Sequence, residues 1–265
     1  MRTDAPECKA GDTVPVQTTS STRARPTRAE ARELRRAAIL DAAARLFYER
    51  GVHEVGMDEL VAATGLSKPA VYRVFPSKDA LIGGYLRRLG DSILALVDED
   101  RDRLTASEAL HEVLDAVEAD LRRPTFRGCP FNNASVEFPD PSHPAREAAR
   151  SYRAGLRQRL QTMARAIVED ECTSANLAGQ LAVLIDGAYV SAVHLGPDGP
   201  ARDGLLLGHR LIEQANPEVP ARGSSQDGRE PTATSPIPTR FARRCASAGS
   251  TANPARSTSS ERPDC

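Results

Sequence analysis

Tryptophan is absent from the sequence, and aromatic residues make up only 4% of its 265 positions. Cysteine is scarce as well. The five cysteines show no Cys-x-x-Cys spacing, and their number is odd: Cys8, Cys129, Cys172, Cys245 and Cys265. This pattern argues against a zinc site and against a disulfide framework, so no metal or other cofactor is expected. Free thiols fit the reducing cytoplasm, where we expect the protein to be located.

Long apolar runs are also missing. A membrane-spanning helix needs roughly 18 or more consecutive apolar residues. The richest stretch, residues 177–195, is interrupted by Gln180, Asp186 and His194. The N-terminus has no apolar core of the length found in signal peptides. The sequence therefore predicts no membrane partner.

Motifs for enzymatic chemistry are not found. The sequence contains no Gly-rich phosphate loop, no G-x-S-x-G and no H-E-x-x-H, and its acidic residues and histidines do not stand at catalytic spacings. A binding protein is therefore expected rather than an enzyme. The net charge of −1 hides an asymmetry, since basic residues exceed acidic ones up to Arg88 and acidic residues dominate from Asp91 to Asn216. Only the first segment is expected to face nucleic acid.

Hydrophobic periodicity predicts an all-α protein of about nine helices. Residues 1–26 are polar and aperiodic and are expected to form a disordered arm. Thr27 and Glu30 form a capping box that begins the first helix. Apolar residues then recur at helical spacing in further segments up to about residue 215. From residue 217 to 265 the periodicity fails, and Pro, Gly, Ser and Thr dominate, which predicts a disordered tail.

Residues 57–78 read as two short helices joined by a tight turn, the pattern of a DNA-binding helix-turn-helix. Gly65 stands where the first helix must end, because glycine adopts the left-handed conformation without a Cβ penalty. Ser67 is expected to cap the second helix through its hydroxyl. Val71 and Phe75, four residues apart, are expected to face inward. Lys68, Tyr72 and Arg73 are then left facing outward, where they can contact phosphates and base edges.

These residues resemble the TetR family of transcriptional regulators. The resemblance rests on ten positions in the family's order and spacing: Phe47, Gly51, Leu60, Gly65, Ser67, Tyr72, Phe75, Pro76, Lys78 and Leu81. The pattern of Tyr72, Phe75 and Lys78 is the most distinctive part. One departure is that Gly56 and Met57 stand where the family usually has Thr or Ser, so a hydroxyl cap and one phosphate contact are absent.

The resemblance implies a homodimeric repressor that binds a near-palindromic operator in double-stranded DNA and is released by a small-molecule inducer. It implies a helix-turn-helix domain over residues 27–75 and a ligand-binding and dimerisation domain over residues 76–216. The helices at about 174–195 and 201–215 are expected to form the dimer interface. The expected DNA-contacting residues are Ser67, Lys68, Ala70, Tyr72, Arg73 and Lys78. A constitutive architectural DNA-binding protein, which would need no ligand pocket, is a second class.

The segment Gly128–Glu137 resembles a Gly-Cys stretch found in one subset of the family, in which some members sense electrophiles or oxidants through the cysteine. A thiol-based repressor that uses Cys129 is therefore the alternative function, and a sensing thiol needs a lowered pKa and access. The ordinary alternative is a buried structural cysteine. The candidate ligand-binding residues are Leu114, Val117, Cys129, Phe131, Tyr152 and Leu156, each of which could equally be core.

The Gly83–Gly84 pair and Asp186 each allow more than one explanation. Gly83 and Gly84 lie near the start of a long fourth helix, where a glycine pair is costly. They are expected to mark a bend in this helix. Replacement of both glycines by alanine is then expected to stabilise the helix. The competing explanation is close helix packing. Asp186 lies in an apolar helix, so a buried carboxylate is expected to pair across a dimer or to face a ligand.

Overall fold

The computed structural model describes residues 27–216. The predicted arm (1–26) and tail (217–265) lie outside the described residues. Regular structure between residues 27 and 216 is entirely helical, which confirms the predicted all-α class. The nine helices are α1 Arg28–Arg50, α2 Met57–Thr64, α3 Lys68–Val74, α4 Lys78–Arg103, α5 Ala106–Leu121, α6 Pro130–Glu137, α7 Pro144–Arg165, α8 Glu171–Leu195 and α9 Pro200–Ala215.

Side-chain caps explain where several helices begin. Thr27 and Glu30 form the predicted capping box at the start of α1, and Thr105 and Glu108 form a second one at the start of α5. The Ser77 hydroxyl accepts a hydrogen bond from the Ala80 amide at 3.0 Å and starts α4. Each of these caps satisfies amide groups that the first helical turn leaves without a partner.

Two apolar clusters hold the helices together. The first, here called the junction core, joins α1–α3 to the first half of α4, to α6 and to the start of α7. The second, here called the body core, joins the end of α4 to α5, α7, α8 and α9. Because Leu81 and Tyr85 of α4 and Phe131 of α6 belong to the junction core, the helix-turn-helix packs directly on the rest of the molecule.

The glycine pair in α4 is a close-packing site. A Cβ added at Gly83 would lie 2.7 Å from Cβ of Pro144, and one added at Gly84 would lie 2.7 Å from Cε1 of Phe75. The prediction that alanine would stabilise this helix is therefore wrong, since either methyl group would overlap a neighbour. The glycines let α4 approach α7 on one side and the end of α3 on the other.

Helix α8 is long and apolar enough, by length and composition alone, to cross a membrane. Its apolar run is interrupted by Gln180, Asp186 and His194, as predicted, but the average hydropathy is high enough to meet this criterion. Core helices of soluble proteins meet the same criterion. Leu177, Leu181 and Ile185 of α8 are indeed buried in the body core, where the helix packs on α7 and α9.

Candidate nucleic-acid interface

The turn between α2 and α3 has the geometry that Gly65 predicts. Gly65 lies in the left-handed region at φ 66°, and its N–H donates to the Ala62 carbonyl at 3.3 Å. The Thr64 hydroxyl donates to the Val61 carbonyl at 2.8 Å and accepts from the Leu66 amide at 3.1 Å. These short-range bonds fix the angle at which α3 leaves α2.

One side of α3 is buried and the other is open. Val71 and Phe75 lie in the junction core with almost no exposure, as predicted. Lys68, Tyr72 and Arg73 are exposed on the opposite side, and Ala70 is half-buried between the two. Tyr72 keeps 37% of its surface although it is aromatic. A short helix that presents two cations and a phenol in this way has the chemistry for phosphate and base-edge contacts.

Lys68 is already engaged with an anion. Its Nζ lies 2.6 Å from Oδ1 of Asp58, in the first turn of α2, and this hydrogen bond raises the pKa of Lys68. Both side chains are exposed. A phosphate that approaches Lys68 therefore has to compete with a carboxylate that is part of the same motif.

Two other candidate residues lie at the ends of the motif. Nζ of Lys78 donates to the His53 carbonyl at 3.3 Å, which holds the start of α4 against the loop that follows α1. Ser67 is the N-cap residue of α3, but its side chain makes no capping hydrogen bond, so the prediction of a hydroxyl cap is wrong. The exposed Ser67 hydroxyl is thereby left to other acceptors and donors.

Side-chain contacts outside α4 also tie α1 to the body of the molecule. The Tyr48 hydroxyl, near the end of α1, accepts from the Arg127 amide at 3.0 Å and from Nη2 of Arg123 at 3.2 Å. Nε2 of His53 lies 3.5 Å from Oε2 of Glu137 at the end of α6. Movement of the helix-turn-helix relative to α6 therefore has to break or remake these contacts.

The Tyr48 contact is the outer end of a polar chain that sequence reasoning missed. Nε of Arg123 lies 2.6 Å from Oδ1 of Asp120, and the Tyr189 hydroxyl of α8 donates to Oδ2 of the same carboxylate at 2.8 Å. Asp120 is only 4% exposed. Burial and the Asp120 charge raise the pKa of Tyr189 well above its usual range, so Tyr189 remains a hydrogen-bond donor.

The only hint of these polar contacts in the sequence is a polar residue at an inward-facing helical position. Asp120 follows Val117 by three residues on the apolar side of α5, a spacing that brings it into the core. Its partner Tyr189 is 69 residues away. Pairings across such a distance are not encoded in local periodicity.

The six candidate ligand-binding residues are divided between the two apolar cores. Leu114, Val117 and Leu156 lie in the body core, while Cys129 and Phe131 lie in the junction core. Tyr152 borders both cores, and its ring stacks on Phe131 with the centroids 3.9 Å apart. The residues of each group are packed within their own core, and Tyr152 lies between the two cores.

Cys129 is a buried thiol, 6% exposed, at the N-terminal end of α6. Burial raises its pKa, and the charge of Arg153 offsets the shift only in part. Nη2 of Arg153 lies 3.7 Å from Sγ but is also hydrogen-bonded to Asn132 at 2.7 Å. This environment opposes the thiolate that a sensor requires.

Asp186 has its partner within the same chain. Its carboxylate forms an ion pair with Arg153 of α7, and the side chain is half exposed. The expectation that this carboxylate is buried is therefore wrong, while its pairing across a dimer or with a ligand stays a prediction. Arginine from the neighbouring helix neutralises the charge where α7 and α8 pack together.

One face of α8 and α9 is apolar and open. The exposed fraction of Val183 reaches 70%, and Val190, seven residues further along the same side of α8, is also exposed, as is Leu207 of α9. Between the helices runs an open groove lined by small and apolar residues that include Gly179, Val183 and Leu207. The surface formed by Val183, Val190 and Leu207 is here called the α8–α9 face.

The helix-turn-helix with its exposed α3, carried on a helical body, defines a DNA-binding transcriptional regulator. Residues 39–84 match the model of the bacterial regulatory proteins of the tetR family, and residues 106–197 match that of the tetracyclin repressor-like C-terminal domain. The chain belongs to the TetR family.

Solved structures agree with this assignment. A TetR-family transcriptional regulator from Streptomyces coelicolor superposes with a TM-score of 0.63 at 28% identity, over 69% of this chain and 96% of that one. A TetR transcriptional regulator from Streptomyces avermitilis gives a TM-score of 0.56 at 30% identity, over 68% and 97%. The reduced form of Escherichia coli NemR, at 19% identity and a TM-score of 0.60 over 67% and 97%, shares the fold.

Curated relatives are similar mainly over shorter stretches. The chain is 36% identical over 96 residues to the transcriptional activator FasR of Mycolicibacterium smegmatis, which covers 34% of this chain and 43% of FasR. It is 28% identical over 166 residues to the repressor ComR of Escherichia coli, covering 59% and 79%. The chain thus spans less than half the length of FasR.

Proposed function

We propose that the protein is a ligand-responsive repressor that acts in the cytoplasm, without catalysis, as a homodimer on a near-palindromic DNA operator. The observation that carries the proposal is the two-sided character of α3. Val71 and the adjoining Phe75 anchor it in the core, and Lys68, Tyr72 and Arg73 face solvent. In a dimer, two such helices enter successive major grooves on one side of the duplex.

The α8–α9 face supports dimerisation. Large apolar side chains grouped on one face of a soluble protein mark an interaction surface, and burial of one valine or leucine contributes about 1.5–3 kcal/mol. A two-fold axis through this face would bring the same residues of two copies together. It would also cover the part of α8 that the body core leaves open.

Ligand response is proposed through the interior between α5, α6, α7 and α8. Tyr152 and Tyr189 border both apolar cores, and the polar chain from Tyr189 through Asp120 and Arg123 ends on Tyr48 of α1. A ligand that separates Phe131 from Tyr152 would disturb α6 and this chain together. The ligand can change the affinity for the operator only by the ratio of its own affinities for the two protein conformations, with Phe131 and Tyr152 together or apart.

The proposal is tested by selecting an operator from random duplex DNA and measuring its binding by fluorescence anisotropy across a salt titration. Tyr72→Ala and Lys78→Ala are expected to weaken binding, with the helical content unchanged. Loss of the Lys78 phosphate contact should also flatten the salt dependence by about one unit of slope. Arg157→Gln, an exposed arginine on α7, is the control. Unchanged binding and slope in both test variants would overturn the assignment of the DNA-contacting side.

The thiol-based alternative predicts that a mild oxidant or alkylating agent releases DNA from the wild type but not from Cys129→Ser. The buried thiol and its raised pKa favour a structural role instead. A response that depends on Cys129 would reverse this preference. An equal response of both proteins would remove the thiol from the mechanism.

A further inference from the structure

A cavity of about 130 Å³ lies where the helix-turn-helix meets the body, outside the interior just proposed for the ligand. One wall belongs to the end of α1 and the loop after it, with Phe47, Tyr48, Gly51 and Val52. The other wall belongs to α4, α6 and the loop before α6: Tyr85, Arg127, Pro130, Asn133, Ala134 and Glu137. We propose that this junction cavity binds a small aromatic carboxylate and thereby links the two walls.

The volume and the lining of the junction cavity suit the aromatic ring of the proposed ligand. An apolar cavity of about 150 Å³ binds benzene. The junction cavity is slightly smaller and its lining mixes apolar with polar residues, so it matches one six-membered ring that carries a polar group. The Phe47 and Tyr85 rings meet where the two walls join, with their centroids 6.0 Å apart and tilted by 57°, a geometry in which aromatic groups attract one another. Tyr48 adds a third aromatic side chain.

Two charged residues of the lining, Arg127 and Glu137, determine which substituent on the ring would be bound. Glu137 already faces Nε2 of His53 at 3.5 Å. The guanidinium of Arg127 is exposed and has no hydrogen bond or ion pair with another residue between 27 and 216, although its backbone N–H is bonded to Tyr48. An arginine pairs with a carboxylate through two parallel hydrogen bonds. An anionic group at the mouth of the cavity would therefore find an open partner in Arg127.

Occupation of the cavity would add contacts between two segments that the junction core already joins. A ring there would touch residues 47–52 on one side and residues 130–137 on the other. It would stabilise the present position of the helix-turn-helix relative to α6. Regulation of operator binding through this site rests on the proposed function, but binding of the carboxylate does not.

The experiment therefore uses the full chain without DNA and measures the binding of benzoate, benzyl alcohol and benzylamine by calorimetry. For so small a ligand the expected dissociation constant of benzoate is on the order of millimolar. Benzyl alcohol, with the same ring and no charge, is expected to bind about tenfold more weakly. Equal binding of the two, preferential binding of benzylamine or no binding of benzoate would overturn the proposal.

Two variants test the location. Arg127→Gln is expected to reduce benzoate binding about tenfold, to the level of benzyl alcohol, and to leave benzyl alcohol unchanged. The matched control Arg157→Gln should leave both ligands unchanged. Ala134→Leu, checked by its thermal melt, should block both ligands by filling the cavity. If that variant does not fold, Arg127→Gln still decides the proposal.

Nuclear Overhauser contacts provide a separate check of position. Ring protons of benzoate are expected to contact the rings of Phe47 and Tyr48. Contacts to Phe131 and Tyr152 instead would place the molecule in the interior and overturn the junction site. A wild-type protein that binds benzoate as expected but binds no operator selected from random duplex DNA would be a failure of the proposed function alone.

Discussion

At the scale of single residues, Lys68 faces two competing anions. Its Nζ bonds Asp58 at 2.6 Å in the free protein, and DNA would offer a phosphate to the same group. The carboxylate also repels the phosphates directly. The motif therefore carries a built-in competitor, and its effect on DNA affinity can be measured by removing it.

Asp58→Asn is expected to raise DNA affinity about two- to fivefold, the range of one exposed ion pair. Anisotropy titrations of the wild type, Asp58→Asn, Lys68→Met and the double variant form a cycle that isolates the coupling. If Asp58 competes with DNA for Lys68, the gain in DNA affinity from Asp58→Asn should be smaller in the Lys68→Met background. A gain of the same size in the Lys68→Met background would show that Asp58 acts by repulsion alone.

Cysteine reactivity is a second test at this scale. Because burial raises the pKa of Cys129, its thiolate forms only at higher pH than that of an ordinary thiol, and access is restricted as well. Cys172 is exposed and serves as an internal control. Peptide mapping by mass spectrometry after brief alkylation at neutral pH should show that Cys172 is modified about ten times faster than Cys129, or more. Equal modification rates would contradict the buried state of Cys129.

At the scale of helices, the fourth helix shows where sequence reasoning stops. Gly83→Ala and Gly84→Ala are each expected to destabilise the protein by about 1–3 kcal/mol, because the cost of overpacking exceeds the gain in helix propensity. Thermal melts measure the change. Ser92→Ala, on the exposed side of the same helix, is the control for propensity and should alter stability little. A higher melting temperature in either glycine variant would restore the bend as the explanation.

Helix starts and inward faces were predictable because they depend on neighbours in the chain. Thr27 and Glu30 are three residues apart, and Val71 and Phe75 are four apart, so local spacing determines both features. The neighbours of Gly84, Asp186 and Tyr48 come from other helices and from the loop between α5 and α6. Sequence alone left the glycine pair between two explanations and did not identify Arg153 as a partner of Asp186. It passed over Tyr48, because contacts between distant segments leave no periodic signal.

At the scale of the whole molecule, the α8–α9 face is expected to control assembly. Val190→Glu places a charge on this face, where the side chain is already half exposed in the protomer, so folding should survive. Sedimentation equilibrium is expected to show a monomer, with operator affinity reduced because each half-site then binds alone. Val136→Glu, an exposed valine on α6, is the matched control. A dimeric Val190→Glu protein would move the interface elsewhere.

The apolar surface of α8 also has a consequence for biosynthesis. In the proposed dimer, a newly made protomer carries Val183 and its neighbours uncovered until a second copy arrives, on a helix long enough to enter a bilayer. The waiting time depends on the concentration of partners, because pairing is a second-order process. Chains made from the same messenger meet soonest. A regulator needed in few copies thus gains from synthesis in bursts, which shorten the period in which this helix can associate wrongly.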